Sequence, residues 1–367
     1  MIQTFKFKDE HDLAGFVQDR VDPVFVTGGQ TRGVDLKYDR VDMKDLNGVV
    51  DYEPGALTMV AKAGTTLKHI EEVLKAEGQQ LAFEPTILNQ ALGTFGDSTI
   101  GGVFAANASG PRRIQAGAAR DFLLGVRYVD GLGNVIKNGG RVMKNVTGYD
   151  IVKLMAGCWG TLGLLSEVSF KVLPMPAAQA TLVISGIEAD VAVDVMTASL
   201  NTAFDVNGVA FDIAAKCAYV RVEGFEQSVK YRTKSLMDIL GARRDITVIE
   251  NDDSANAWSR IRILSAISDQ SGDLWKISLR PTDGPHIVQK LDLTAGIMDW
   301  SGGLIWAKLA AGKTVRDILG DIPGHAVNLS AKAGEKFSNT NPALTHIQKA
   351  IREKFDPKGV FNPGLMG

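Results

Sequence analysis

Only two of the 367 residues are cysteines, Cys158 and Cys217. Two thiols cannot make a disulfide framework, and without other residue types they cannot complete a four-ligand zinc or iron–sulfur site. The five histidines (His11, His69, His286, His325 and His346) lie far apart with no metal-ligand spacing, so no metal centre is expected. Neither sign of charge dominates: 40 basic residues against 42 acidic ones leave a net charge of −2. No general field draws in nucleic acid or anionic lipid. Long apolar runs are also missing. None approaches the ~18 residues of a membrane span, and charges are scattered through the opening MIQTFKFKDEHDL, where an export signal would be apolar. The expectation is a soluble, cytoplasmic chain on which the sequons at Asn107, Asn145 and Asn328 stay unused. Glycine is in excess, at 39 residues against a usual ~7%, and much of it falls in the first half. Tight turns or close backbone approach to a ligand are expected there. At ~150 residues per domain, the length suggests two or three domains.

The pattern of elements is mixed α and β. Asp9 reads as the N-cap of a helix with Leu13, Phe16 and Val17 on one face, and Thr65 or Thr66 caps a second helix with the stripe Leu67, Ile70 and Leu74. Val24 to Val26 is a short strand. Val49 to Tyr52 and Leu57 to Ala61 read as paired strands around Pro54-Gly55. Strands from Phe122 to Lys137 flank the hairpin loop Asp130 to Asn134. After Pro174 and Pro176 the glycine thins out, the strands lengthen (Thr181 to Ile184, Ala218 to Val222), and Gln227 to Leu240 reads as an amphipathic helix packed on its own sheet. A domain boundary is therefore placed near 175, with a final helix from about 341 to Phe355.

Two nucleotide-binding motifs fail on inspection. Gly131-Leu132-Gly133 opens a dinucleotide fingerprint, but Ile136 stands where the third glycine belongs and no helix pattern follows. Gly312-Lys313-Thr314 resembles a phosphate loop, yet Ala307 occupies the position of the first glycine. Three other segments carry a stronger signal. Val24 to Gly33 is a buried strand ending in Thr27-Gly28-Gly29-Gln30-Thr31-Arg32, where successive backbone N–H groups can form a nest for phosphate oxygens. Gly93 to Gly110, GTFGDSTIGGVFAANASG, is dominated by small residues that fill a core poorly, which suggests that a ligand fills the volume. Gly160 to Leu165 is a turn into a hydrophobic strand.

The order of these three segments, with Asp356 to Gly364 at the tail, resembles the FAD-linked oxidase family with the vanillyl-alcohol-oxidase (PCMH-type) FAD-binding domain. The stretch 141–176, RVMKNVTGYDIVKLMAGCWGTLGLLSEVSFKVLPMP, makes it most similar to the smaller, FAD-binding E-type subunits of bacterial three-subunit glycolate oxidase. The likeness covers 20–175 and 341–365 well and the middle poorly. It implies an α+β fold with a two-subdomain FAD-binding domain over 1–175, divided near 75–90. A cap domain with an antiparallel sheet follows over 176–340, and a segment, 341–367, returns to the FAD domain.

Carried over by position, the resemblance implies that Thr27, Gly28, Gly29, Gln30, Thr31 and Arg32 wrap the pyrophosphate of FAD. Gly93, Asp97, Ser98, Thr99, Ile100, Gly101 and Gly102 face them, and Asn107, Ser109 and Gly110 lie near the flavin. Gly160, Gly163, Leu164 and Leu165 line the adenine or ribityl region, and Asn362 closes over the ring. Gln30 stands where some members carry a histidine that links FAD covalently, so noncovalent FAD is expected. The implied reaction is oxidation of glycolate or a related 2-hydroxy acid to the 2-oxo acid, with hydride passing to flavin N5. It requires a cation for the carboxylate and a base for the hydroxyl proton. The metal-binding histidines of catalytic relatives are reduced here to His325, and Arg260, Arg262, Lys276 and Arg280 are the candidate carboxylate holders. The implied partners are a larger flavin subunit and an iron–sulfur subunit, with any membrane attachment peripheral and through the complex. A self-sufficient FAD oxidoreductase for another hydroxylated substrate and a non-catalytic FAD-binding assembly subunit stay open.

Overall fold

The computed structural model describes residues 2–141, 148–241, 244–312, 318–331, 336–337 and 342–366. The sequon at Asn145, part of the 141–176 stretch and Lys313-Thr314 lie outside the described residues.

The chain opens on a parallel three-stranded sheet of β1 (Thr4–Lys6), β2 (Val24–Thr27) and β3 (Asp39–Asp42), in the order β1-β3-β2. Helix α1 (Glu10–Asp19) makes the crossover. Asp9 caps it by accepting from the His11 N–H, and its apolar stripe of Leu13, Ala14 and Val17 packs against Val24 and Val41.

An antiparallel five-stranded sheet follows, built from β4 (Val49–Glu53), β5 (Thr58–Lys62), β7 (Leu123–Val129), β8 (Val135–Gly139) and β9 (Leu164–Lys171) in the order β4-β5-β9-β7-β8. Strand β6 (Gln79–Gln80) pairs apart from it with β10 (Leu173–Pro174). Helix α2 (Leu67–Ala76) is capped by Thr66 and lays Leu67, Ile70 and Leu74 on the five-stranded sheet's core. Short helices α3 (Asn89–Leu92), α4 (Ile100–Ala105), α5 (Arg113–Ala116), α6 (Ala119–Phe122) and α7 (Ile151–Met155) complete this lobe. The change from one sheet to the next falls between Asp42 and Val49, not near 75–90. Gly78, at φ +63°, merely reverses the chain between α2 and β6. In the β7–β8 loop the Asp130 carboxylate accepts from the Leu132 and Asn134 N–H groups, which makes Gly131-Leu132-Gly133 part of a hairpin turn.

The third sheet has eight antiparallel strands: β11 (Ala178–Ser185), β12 (Gly208–Asp212), β13 (Cys217–Gly224), β14 (Asp245–Glu250), β15 (Asp273–Leu279), β16 (Ile297–Asp299), β17 (Leu304–Leu309) and β18 (Gly324–Asn328). Their order is β14-β11-β13-β12-β16-β17-β15-β18. Period-2 alternation separates its two faces. Val220, Phe211, Met298, Ile305, Trp275 and Ala326 point outward to a core covered by α8 (Ala189–Leu200), α9 (Glu226–Leu240) and α11 (Gly284–Lys290). Tyr219, Ala210, Ile297, Trp306, Leu274 and Val327 point inward, where they meet α10 (Asn251–Arg262) and Leu88 and Ala91 from the first lobe. The inner face therefore forms a roof over the N-terminal lobe. The final helix, α12 (Pro342–Phe355), sets Ile351 and Phe355 against the five-stranded sheet's core, and Val360 and Phe361 beside β2. There the tail runs parallel to the strand, with the Val24 N–H donating to Val360 at 2.8 Å and the Asn362 N–H to Val24 at 3.1 Å.

Candidate functional site

A cleft of about 870 Å³, counted with its open mouth, lies where the end of β2 faces α4 and the turn before β9. Its floor is the loop Gly28 to Arg32. Among the described residues, the five backbone N–H groups of that loop have no hydrogen-bond partner. Consecutive unpaired donors in a concave loop form an anion nest, and buried backbone donors are seldom left without an acceptor. Thr31 and Ser98 join the two walls through their hydroxyls at 2.8 Å, and either hydroxyl has capacity for a further acceptor. The approach is too close for side chains: a Cβ on Gly29 would stand 1.8 Å from the Asp97 carbonyl oxygen. These features fit the pyrophosphate of a dinucleotide.

Not every small-residue position faces the cleft. Thr27 to Arg32, Ser98, Thr99, Gly101, Gly102, Gly160, Gly163, Leu165 and Asn362 line it. Gly93 lies outside and caps α3, and Asp97 presents its carbonyl to Gly29. Ile100 and Leu164 are core side chains. The stretch 93–110 also fills a core better than its composition suggests, because Ile100, Val103 and Phe104 on α4 are fully buried. The N–H groups of Ile100 and Gly101 are spent on the Thr65 and Ala63 carbonyls, each at 2.8 Å. Asn107 and Ser109 brace the following turn, with Asn107 Oδ1 accepting from Arg120 N–H and Ser109 Oγ from Ala119 N–H. Gly110 accepts from Trp300 Nε1 at 3.0 Å, which ties this turn to the roof. Asn362 uses its side chain as a clamp, accepting from Val26 N–H at 2.8 Å and donating to the Trp159 carbonyl at 2.9 Å.

The roof contributes charged groups that sequence reasoning did not bring together. On β13, Arg221 donates twice to Glu84 of the first lobe, at 3.0 and 2.9 Å, and once to Asn207 at 3.0 Å. Arg112 pairs with both Glu84 and Glu223. Two arginines and two glutamates thus neutralise one another across the junction of the lobes. Burial alone would raise the Glu84 carboxyl, but the charges of Arg221 and Arg112 outweigh it and hold the group down at about 2.

Farther along the same face, Asp299 ends β16 and accepts from the Trp300 N–H at 2.7 Å. Burial raises its carboxyl to about 7. Lys276 on β15 stands over the Trp300 and Trp306 rings at 5.5 and 5.7 Å, and Arg113 of α5 stands over Trp300 at 4.6 Å. Burial first, and then the charges of Arg113 and Arg32, lower the Lys276 ammonium to about 8. His325 pairs across the sheet with Ser278, so it shares this face. Its side chain is exposed to solvent, yet crowding by protein atoms and then the Lys276 charge lower its pKa. The backbone is strained here as well. Trp300 and Ser301 are both left-handed, at φ 52° and 60°, and so are Gln30, Glu84, Trp159 and Asn362 around the cleft and junction. Such strain in bulky residues gathers where a site over-determines the backbone.

The remaining arginine candidates are engaged elsewhere or face solvent. Arg260 is on the exposed side of α10, Arg262 donates to the Pro85 carbonyl and pairs with Glu71, and Arg280 pairs with Asp283 at 2.8 Å. None of the three lines the cleft. Among the described residues, no group of three or more His, Cys, Asp or Glu side chains is placed to hold a metal ion.

Comparison with known proteins agrees with this architecture. An FAD binding domain family matches residues 11–139. The glycolate oxidase subunit GlcE of Escherichia coli K12 is 33% identical over 351 residues, covering 94% of this chain and 92% of that protein. The D-2-hydroxyglutarate dehydrogenase of Stutzerimonas stutzeri is 22% identical over 87% of this chain and 79% of its own length. A solved alkyldihydroxyacetonephosphate synthase superposes with a TM-score of 0.69 over 98% of this chain and 76% of that one at 15% identity, a likeness of fold alone. A protein of mixed α+β architecture with an FAD-binding domain, similar along nearly its whole length to GlcE, has FAD as its cofactor, and the chain belongs to the family of FAD-linked oxidoreductases that includes the glycolate oxidase subunit GlcE.

Proposed function

We propose that this chain is the FAD-binding subunit of a glycolate-oxidising complex, acting on glycolate or a related 2-hydroxy acid and producing the 2-oxo acid. The observation that carries the reading is the run of unpaired N–H groups at Gly28 to Arg32, set beneath a roof of buried charged groups. The similarity to GlcE over nearly the whole chain supports it.

In this reading the Gly28–Arg32 loop holds the pyrophosphate, with Thr31 and Ser98 adding hydroxyl donors. Gly101, Gly102, Gly160, Gly163 and Leu165 shape the walls, and Asn362 fixes the tail against β2. When bound, FAD supplies the two-electron acceptor. The absence of a histidine at Gln30 supports noncovalent attachment. The roof excludes water with Trp300, Trp306 and Leu304. It also presents two groups able to take a hydroxyl proton near neutral pH, Asp299 and His325. Asp299 and His325 do not line the cleft itself; the link is Arg32, which lines the cleft and acts on Lys276 of the same roof face, and perturbed ionisable groups so close to a cofactor cleft favour a substrate-handling role over a purely structural one.

Because Cys158 and Cys217 cannot build a cluster, electrons leave through partners, taken here to be a larger flavin subunit and an iron–sulfur subunit. Among the described residues no helix is long and apolar enough to cross a membrane, and we place the complex in the cytoplasm with at most peripheral attachment.

The test is anaerobic titration of the FAD-loaded chain with glycolate, D-lactate and D-2-hydroxyglutarate, following the flavin bands and the 2-oxo acid formed. Bleaching by one of these acids with matching product supports the reading. Unchanged bands with all of them, alone and with the partner subunits, refute it.

A further inference from the structure

We propose that Lys276 and Arg113, which share the Trp300 indole, hold the carboxylate of a small organic acid between the roof and the flavin cleft. The inference rests on the reading above and assigns residues to it.

Around the junction, Arg112 and Arg221 are paired with Glu84 and Glu223, and Arg262 with Glu71. Among the described residues, the Lys276 ammonium and the Arg113 guanidinium have no ion pair and no hydrogen bond, although the Arg113 backbone N–H donates to Gly110. The Arg32 side chain, at the cleft, has among the described residues only the Thr86 carbonyl, at 3.2 Å. Lys276 therefore feels the charges of Arg113 and Arg32 against that of Asp299, and Arg113 also feels Asp121 of its own lobe. A cation over an indole gains only a modest stabilisation, which does not offset the loss of hydration of a buried charge. The crowding is visible in the lowered pKa of Lys276.

An anion bridging Lys276 and Arg113 removes that cost. The neighbouring surfaces of Trp300, Trp306 and Leu304 are apolar, which suits a small acid better than a strongly hydrated inorganic ion. The planar Arg113 fork matches a carboxylate. Trp300 is positioned to keep the pair in register with the cofactor lobe. Its indole N–H is bonded to Gly110, and its left-handed backbone is fixed by Asp299.

The experiment is calorimetric titration of the purified chain with oxalate, a carboxylate probe that carries no oxidisable hydrogen, with and without bound FAD. Wild type, K276Q, R113Q and K276R are compared, together with inorganic phosphate as competitor. Expected are saturable oxalate binding, at least a tenfold loss in K276Q and in R113Q at unchanged FAD content, and recovery to within about threefold in K276R. These fold-changes reflect the loss or retention of one charge-assisted hydrogen bond. Equal oxalate affinity in all four proteins, or no oxalate binding to wild type, overturns the proposal. Phosphate displacing oxalate at equal concentration overturns the carboxylate assignment. Failure of the chain to take up FAD refutes the cofactor reading instead, because the oxalate titration is also read without flavin.

Discussion

Replacing Glu84 by Gln tests how the roof is held to the cofactor lobe. Glu84 accepts a bidentate pair from Arg221 and stands 3.1 Å from Arg112, and the Arg221 side chain is only 2% exposed. Two independent routes give the cost. Removing one partner of a buried ion pair costs roughly 3–5 kcal/mol, because the cation left behind stays buried. Linkage gives a similar figure, since a carboxyl held at about 2 when folded and near 4.5 when unfolded contributes about 3 kcal/mol at neutral pH. The sign follows from the depressed pKa. The contribution is complete above the unfolded value and is lost as pH falls through the folded one. The advantage of wild type over E84Q, measured by urea unfolding, is therefore about 3 kcal/mol at pH 7 and about half of that near pH 3. A difference below 1 kcal/mol at pH 7, or one that does not shrink on acidification, refutes the reasoning.

The remaining expectations concern the cleft and the roof. G29A places a methyl group against the Asp97 carbonyl and lowers FAD affinity at least tenfold, read as flavin retained per chain after gel filtration. N362A leaves the half-buried Val26 N–H and Trp159 carbonyl without their partner and lowers stability by about 1 kcal/mol in thermal or urea unfolding. Oxalate binding weakens as pH rises through about 8, where Lys276 loses its proton in a field set by Arg113, Arg32, Asp299 and His325. K276R, with its higher intrinsic pKa, moves that limb to higher pH.

The parts of the fold that were legible from sequence are those governed by local physics. Asp9 and Thr66 cap their helices, the Asp130 loop turns a hairpin, and Gly28-Gly29 follows a buried strand, each for reasons contained within a few residues. The roof's site was not legible, because register makes it. Arg221 and Glu223 alternate with apolar residues along β13, a pattern that ordinarily marks a solvated face, and only the covering lobe turns that face into an interior. Lys276 meets Trp306 through cross-strand pairing of β15 and β17, 30 residues apart, and Arg113 comes from the other lobe. Asp299 has no local signal beyond its type. Choosing arginines by type led instead to Arg260, Arg262 and Arg280, whose surroundings leave them exposed or paired. The change of sheet between Asp42 and Val49 was hidden because the link Met43 to Gly48 is short and its Asn47-Gly48 reads only as one more turn, as Gly78 does.

The most direct test of the account is the flavin content of the chain, purified or reconstituted with excess FAD, before and after denaturation and removal of the polypeptide. The account predicts a single FAD per chain that is released entirely into the supernatant. A chain that takes up no FAD contradicts the cleft assignment, and flavin remaining on the denatured polypeptide contradicts noncovalent binding at the Gln30 loop.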